Sequence, residues 1–456
     1  MSSKIIIILI SLIKQSLLKT PIFVFSFFEN GLTSPNNLNE KMKDIFNQKW
    51  ENKNKLTSIG RRMQYILGYN NYKKYIENNS FLSLKFNPFE IYVLSKKNNK
   101  NIESVECHLQ GFYPLNNLFS EKIYLNQQKK SNPPINISKS LNLEIKKLNN
   151  LNSPLPEFMN IIPYHIFYNF DYENKFIECN EKINKIKEKN LENNNIKNLV
   201  FEFNLYYKNS FNKLLKEKGE YSFIYIIKIC DNFIIDLNYG IDLSFIEKYG
   251  INKNNFSNFC EKVNNVKYND YYFGDEKNEI NKVEISSLLN EILIYLKNKI
   301  NNLENENLKK FILFSGDEFT ISGIEIFINK VFNNNIFINP IFASNIYFEV
   351  YKKENNNSLN YENYEVKYII NDKLISTFNL NEFIENIENN IWKEEEIFNF
   401  CEIKIKKIEF DSYSKLKNII WILIIIILLL TISIIVLYVK IKKRKPDRLT
   451  KLIHEE

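Results

Sequence analysis

Three apolar runs along the chain are continuous rather than alternating, and each ends at a polar turn. Ile22–Phe28 leads into Glu29-Asn30-Gly31, and Glu90–Ser95 into Lys96-Lys97-Asn98. Phe311–Phe314 leads into Ser315-Gly316-Asp317-Glu318, after which Ile321, Ile324, Ile328 and Val331 recur at helical spacing. Short apolar runs followed by helices predict buried parallel strands of an α/β sheet. In such sheets ligands sit outside the carboxyl ends of the strands, so the three turns are the first candidates for a site.

Between the first two runs, Leu56–Ile76 has the pattern of an amphipathic helix, with Thr57 or Ser58 to cap it and Ile59, Met63, Ile66 and Leu67 as its apolar stripe. The middle of the chain, about 115–290, mixes loop-like stretches such as SNPPINISKS with helical segments around Leu199–Leu215 and Val283–Leu303. The expected architecture is a doubly wound, mainly parallel α/β sheet with a helical cap insertion.

Both ends carry targeting signals. Ile419–Val439 holds no charge and is apolar all round, long enough for the roughly 30 Å hydrocarbon core of a bilayer. Trp421 and Tyr438 sit near its ends, where aromatic rings favour the interface. The tail 440–456 follows at once, with seven Lys or Arg against three Asp or Glu. At the other end, a basic start and the apolar run Ile5–Ile13 suit a signal peptide over 1–19. These segments predict a single-pass type I membrane protein whose main domain, 20–415, is lumenal or extracellular, with a transmembrane helix at 419–439.

Composition narrows the chemistry. The chain has 456 residues, 44% hydrophobic and 25% charged, which are globular values. Its net charge is +8, and the short tail supplies half of it, so the body lacks the basic stripe of a nucleic-acid binder. The three histidines, His108, His165 and His454, are too few and too scattered for most histidine-based hydrolase or zinc sites. Cys107, Cys179, Cys230, Cys260 and Cys401 contain no C-x-x-C pair, and an odd number leaves at least one outside any disulfide. Asn78, Asn136, Asn255 and Asn356 lie in Asn-x-Ser sequons, which permit glycosylation in an oxidising compartment.

LTSIGRRMQYILG at Leu56–Gly68 resembles the L-T-x-x-G-x-x-Q-x-x-L-G helix of the histidine acid phosphatase family. ECHLQGFYP (Glu106–Pro114), FASNIYFEVYK (Phe342–Lys352), YEVKYIINDK (Tyr364–Lys373) and LNEFIENIENNIW are similar to further segments of that family. The resemblance covers roughly 20–405. It implies the family's large α/β domain with a helical cap, and it suggests a Cys179–Cys401 disulfide.

The family's chemistry does not carry over with the fold. Its R-H-G-x-R-x-P signature falls on Glu29-Asn30-Gly31-Leu32-Thr33-Ser34-Pro35, which keeps only the glycine and the final proline. The nucleophilic histidine is Asn30, its flanking arginines are Glu29 and Thr33, the third clamping arginine is Leu94, and the late His-Asp pair is Asp317-Glu318. An amide does not attack phosphorus, and each lost clamp donor costs on the order of 3–4 kcal/mol of barrier. The expectation is a catalytically inactive member, a pseudophosphatase, without a cofactor. Glu29, Asp317 and Glu318 form a speculative site for a hard cation through carboxylate oxygens. Two other readings stay open: an acid phosphomonoesterase with a relocated site, and a surface receptor or adhesion ectodomain for a cationic or sugar ligand.

Overall fold

The protein's structure, a computed structural model, describes residues 20–35, 55–114, 132–136, 141, 166–168, 179–216, 218–275, 277–303, 305, 308–334, 336–338, 340–353, 361–402, 421, 426 and 428–440. The leader at 1–19, His165, His454, Asn356 and most of the tail lie outside the described residues.

All seven residues of β1 (Phe23–Glu29) are buried. Its pleat sends Phe23, Phe25 and Phe27 into one apolar cluster, and Val24 and Phe28 into another on the opposite face. Helix α1 (Ser58–Asn71) follows, capped by Thr57, whose hydroxyl accepts from the Gly60 N–H at 3.0 Å. Then come β2 (Ile91–Ser95), α2 (Asn99–Phe112) and β3 (Ile166–Tyr168).

The cap is helical: α3 (Asn180–Asn190), α4 (Asn194–Tyr206), α5 (Lys208–Leu215), α6 (Phe223–Tyr239) and α7 (Lys253–Val266), which runs on as a π turn at Lys267–Tyr272. These helices share their own apolar core, including Phe203, Phe233 and Phe256, and a Cys230–Cys260 disulfide ties α6 to α7. The chain then enters α8 (Glu279–Asn301), β4 (Phe311–Gly316) and α9 (Glu318–Val331), whose apolar faces cover β1. It closes with β5 (Asn345–Lys352), β6 (Tyr364–Ile370), β7 (Lys373–Asn379), α10 (Leu380–Asn390) and α11 (Glu394–Cys401). Cys179 before α3 is bonded to Cys401 at the end of α11, their Cα atoms 4.7 Å apart; Cys107 is buried and outside both disulfides.

The sheet order is β3-β2-β4-β1-β5-β6-β7. The β3-β2-β4-β1 half is parallel, whereas β1–β5, β5–β6 and β6–β7 are antiparallel pairs. The expected mainly parallel sheet is therefore corrected to a mixed one. Asn371 and Asp372, with φ of 49° and 61°, make a two-residue turn between Ile370 and Lys373, and paired positive φ values are what a tight hairpin requires.

Residues 402–456 form a separate unit from 1–401. Of the segment read as a span, 419–439, residues 428–439 are described as a continuous helix, and among the described residues no helix is long and apolar enough to cross a membrane.

Candidate functional site

The polar turns after β1, β2 and β4 meet where the parallel strands end. Ser95 pairs with Ser315, and Glu29 with Gly316, so register alone brings Lys96, Asn30 and Asp317 to one edge of the sheet. The β1 turn is held from several sides. Asn30 N–H donates to the Gly316 carbonyl at 3.2 Å, and the Asn30 carbonyl accepts from Ala343 N–H at 3.1 Å. Gln64 donates to the Glu29 carbonyl at 2.7 Å, and Gly31 N–H to the Ser104 hydroxyl at 3.3 Å. Gly31 and Gly60 pass so closely that a Cβ on either would strike the other segment's backbone.

The side chains at the family's chemical positions make other contacts. The Asn30 amide donates to the Gly31 carbonyl at 2.9 Å, a local turn contact. Leu94 is not brought to the polar turns; it packs in the apolar core with Phe27 and Phe314. Thr33 is buried in an isolated antiparallel bridge with Leu56. Asp317 is the N-cap of α9, where its carboxylate accepts from Thr320 N–H at 3.0 Å, a structural role in its own right.

Two lysines answer the carboxylates. Lys96 Nζ lies 2.8 Å from Glu284 Oε1 on α8 and 3.1 and 3.2 Å from the two oxygens of Asp317. The Thr320 hydroxyl lies 2.7 Å from Glu284 and 3.0 Å from Asp317, its single proton serving one of them at a time. Lys267 Nζ, on the cap's π turn, lies 3.0 Å from Asp231 on α6 and 3.6 Å from Glu318 on α9. Lys96 thus points inward among the carboxylates. Lys267, Asp231 and Glu284 were not identified from the sequence, because they sit in helices with no motif around them.

The electrostatics follow from these pairings. Burial would lower the Lys96 ammonium, but Asp317 and Glu284 outweigh it and hold it protonated. Burial likewise pushes Asp317 up, yet Lys96 and Lys100 bring it down to about 2. Glu284 is raised, burial outweighing Lys96. Glu29 is raised well above its ordinary value, first by burial and then by Glu318 and Asp317, with Lys100 and Lys267 opposing.

Ammonium groups of the chain meet Asp317 and Glu318, two of the three carboxylates of the speculative hard-cation site, and among the described residues no group of His, Cys, Asp or Glu is arranged to hold a metal ion. His108 is fully buried on α2, stacked on Phe28 with ring centroids 4.6 Å apart and with Nε2 3.0 Å from the Asn71 amide. Burial lowers its pKa to about 3, so it is neutral. Among the described residues the arrangement supplies ion pairs and a buried acid, with an asparagine, Asn30, at the β1 turn.

Comparison with known proteins fits this geometry. A sequence model of the histidine phosphatase superfamily (branch 2) matches residues 11–371. Lysophosphatidic acid phosphatase type 6 of Bos taurus and that of Homo sapiens are each 38% identical over 58 residues, which cover 13% of this chain and 14% of the relative. The phytase from Citrobacter braakii superposes with a TM-score of 0.52 at 10% identity, over 84% of this chain and 99% of the phytase, a likeness of fold alone.

Proposed function

This chain belongs to the histidine phosphatase superfamily (branch 2), and from that premise we propose that it is a catalytically inactive, membrane-anchored member. The observation that carries the first part is the Lys96–Asp317–Glu284 cluster. The late motif position holds a carboxylate already bonded to an ammonium of the same chain, beside an asparagine where a nucleophile is needed. Phosphoryl transfer depends on donors preorganised for the oxygens of phosphorus. Here Lys96 and Lys267 spend their donors on carboxylates, while Asp317 and Glu318 would repel an incoming dianion.

The anchoring part rests on the uncharged run at 419–439, the basic tail and the apolar leader. Two disulfides suit an oxidising compartment, and Asn78, Asn136 and Asn255 are exposed for glycosylation. The protein's role would then be binding or scaffolding at a membrane.

The test is phosphate release from a generic phosphomonoester by the purified full chain between about pH 4 and 8. No release above buffer is expected. Turnover that disappears in Glu29→Gln or Asp317→Asn would overturn the reading.

A further inference from the structure

The loop Phe81–Glu90 leads into β2 at the opposite end of the sheet from the polar turns. Its Glu90 carbonyl accepts from Lys310 N–H at 2.8 Å and Phe311 N–H at 3.0 Å, where β4 begins. The sequence FLSLKFNPFE is apolar for a surface loop. Phe81 and Leu82 are buried in the core with Val24 and Phe28, and Phe86 packs edge-on against Tyr113 with ring centroids 5.4 Å apart. Leu84 and Phe89 point the other way, 71% and 61% exposed. Ser83 N–H donates to Glu90 Oε2 at 2.9 Å, closing the loop just behind both of them. The backbone around Phe89 is bonded within the protein. Phe89 N–H donates to Asn87 Oδ1 at 3.0 Å, Glu90 N–H to the Asn87 carbonyl at 3.0 Å, and Lys309 Nζ to the Pro88 carbonyl. Lys309 Nζ also lies 6.0 Å from the centre of the Phe89 ring, and Lys85 is exposed next to Leu84.

We propose that this loop docks on a bilayer surface, with Leu84 and Phe89 in the headgroup–acyl boundary and Lys85 and Lys309 at the lipid phosphates. The docking rests on the membrane anchoring proposed above. An apolar loop tip enters lipid only if its backbone polar groups are satisfied without water, and the bonds around Phe89 meet that condition. Two side chains offer far less than the roughly 800 Å² that a stable protein interface takes from each partner. They suffice to orient a body already held at the bilayer, and only residues 402–418 separate α11 from the uncharged run at 419–439. Docked this way, the polar turns after β1, β2 and β4 face away from the membrane.

Nitroxide quenching reads the contact in the full chain reconstituted in phosphatidylcholine vesicles. Cys107, the native thiol outside the disulfides, is buried, so a bimane label can be confined to an introduced surface cysteine. On Leu84→Cys it should be quenched by a nitroxide at the top of the acyl chains about threefold more than on Phe201→Cys. Phe201 is a 69% exposed position on α4 of the cap. Phe89→Glu should bring the Leu84 label down to the Phe201 level. Equal quenching at the two positions, or quenching at Leu84 untouched by Phe89→Glu, would overturn the docking. So would a Leu84 label shielded from aqueous iodide without lipid quenching, which assigns the tip to a protein surface. Flotation of the same vesicles reads the anchoring separately. A chain that floats with an unquenched Leu84 label leaves the anchoring standing, and a chain that does not float overturns both.

Discussion

Lys96 Nζ lies 3.1 Å from Asp317 Oδ1, so a lysine two residues beyond the lost clamp position holds the acid that stands at the late motif. Leu94, at that clamp position, has turned into the core. At the strand ends Lys96, Asp317 and Glu284 are committed to one another.

Removing Lys96 should therefore be costly. Its side chain is 11% exposed, and Lys96→Met leaves Asp317 and Glu284 without their ammonium. Breaking a buried pair from one side typically costs about 3–5 kcal/mol. Urea unfolding should show a loss of that order, partly recovered in Lys96→Met with Glu284→Gln, because the second change removes a stranded charge. A loss below about 1 kcal/mol would mean the pair is only a surface contact.

Stability should peak in mild acid. Asp317, brought down to about 2 from an ordinary 3.8, contributes stability that is present above the ordinary value and lost as pH falls towards 2. Glu29 and Glu284, raised above an ordinary 4.5, favour the folded state below that value, and their contribution is lost as pH rises through their folded pKa values. Glu325, pushed up to about 8 mainly by burial, extends the loss to alkaline pH. Unfolding free energies between about pH 3 and 9 should fall on both sides of the maximum, and Glu325→Gln should flatten the alkaline side. A stability that rises steadily from pH 5 to 8 would contradict these assignments.

The disulfides should matter unequally. The 222-residue separation of Cys179 and Cys401 closes a far longer loop than the 30 residues between Cys230 and Cys260. Chain entropy gives about 5 kcal/mol for the first and roughly 3–4 for the second, before any residual structure in the unfolded state. Cys179→Ser should lower the unfolding midpoint more than Cys230→Ser. The second change should make the cap more open to protease, since it unties α6 from α7. Equal cleavage of native and variant chains would argue against that role.

Restoring the imidazole alone should restore nothing. Asn30→His places a ring at the β1 turn, but Glu29, Thr33 and Leu94 still supply no guanidinium, and Asp317 remains on Lys96. Phosphate release by this variant should stay at the buffer rate, and a measurable gain would show that the clamp had been replaced by other groups.

How much was legible beforehand follows from which signals are local. The apolar runs ending at Phe28, Ser95 and Phe314 became β1, β2 and β4, and the helix after Thr57 begins where its cap residue predicts. Strand β3 is three residues long and lies in the stretch read as insertion, too short to show a period. The antiparallel half of the sheet escaped because its evidence is one two-residue turn at Asn371-Asp372. At the site, the expectation for each family position rests on a single residue, such as Asn30 or Leu94. The lysines that replaced the clamp's charge could not be read in this way: Lys267 and Glu318 are distant in sequence and become neighbours only through the cap's packing on α9.

The most direct measurement is oxoanion binding. Vanadate or inorganic phosphate titrated into the full chain at about pH 5 and pH 7, followed by calorimetry with Glu29→Gln as control, should give no saturable heat in either protein. Saturable binding of vanadate lost on substitution at Asn30 or Lys96 would show that the strand ends still grip a phosphoryl group, and would contradict the account.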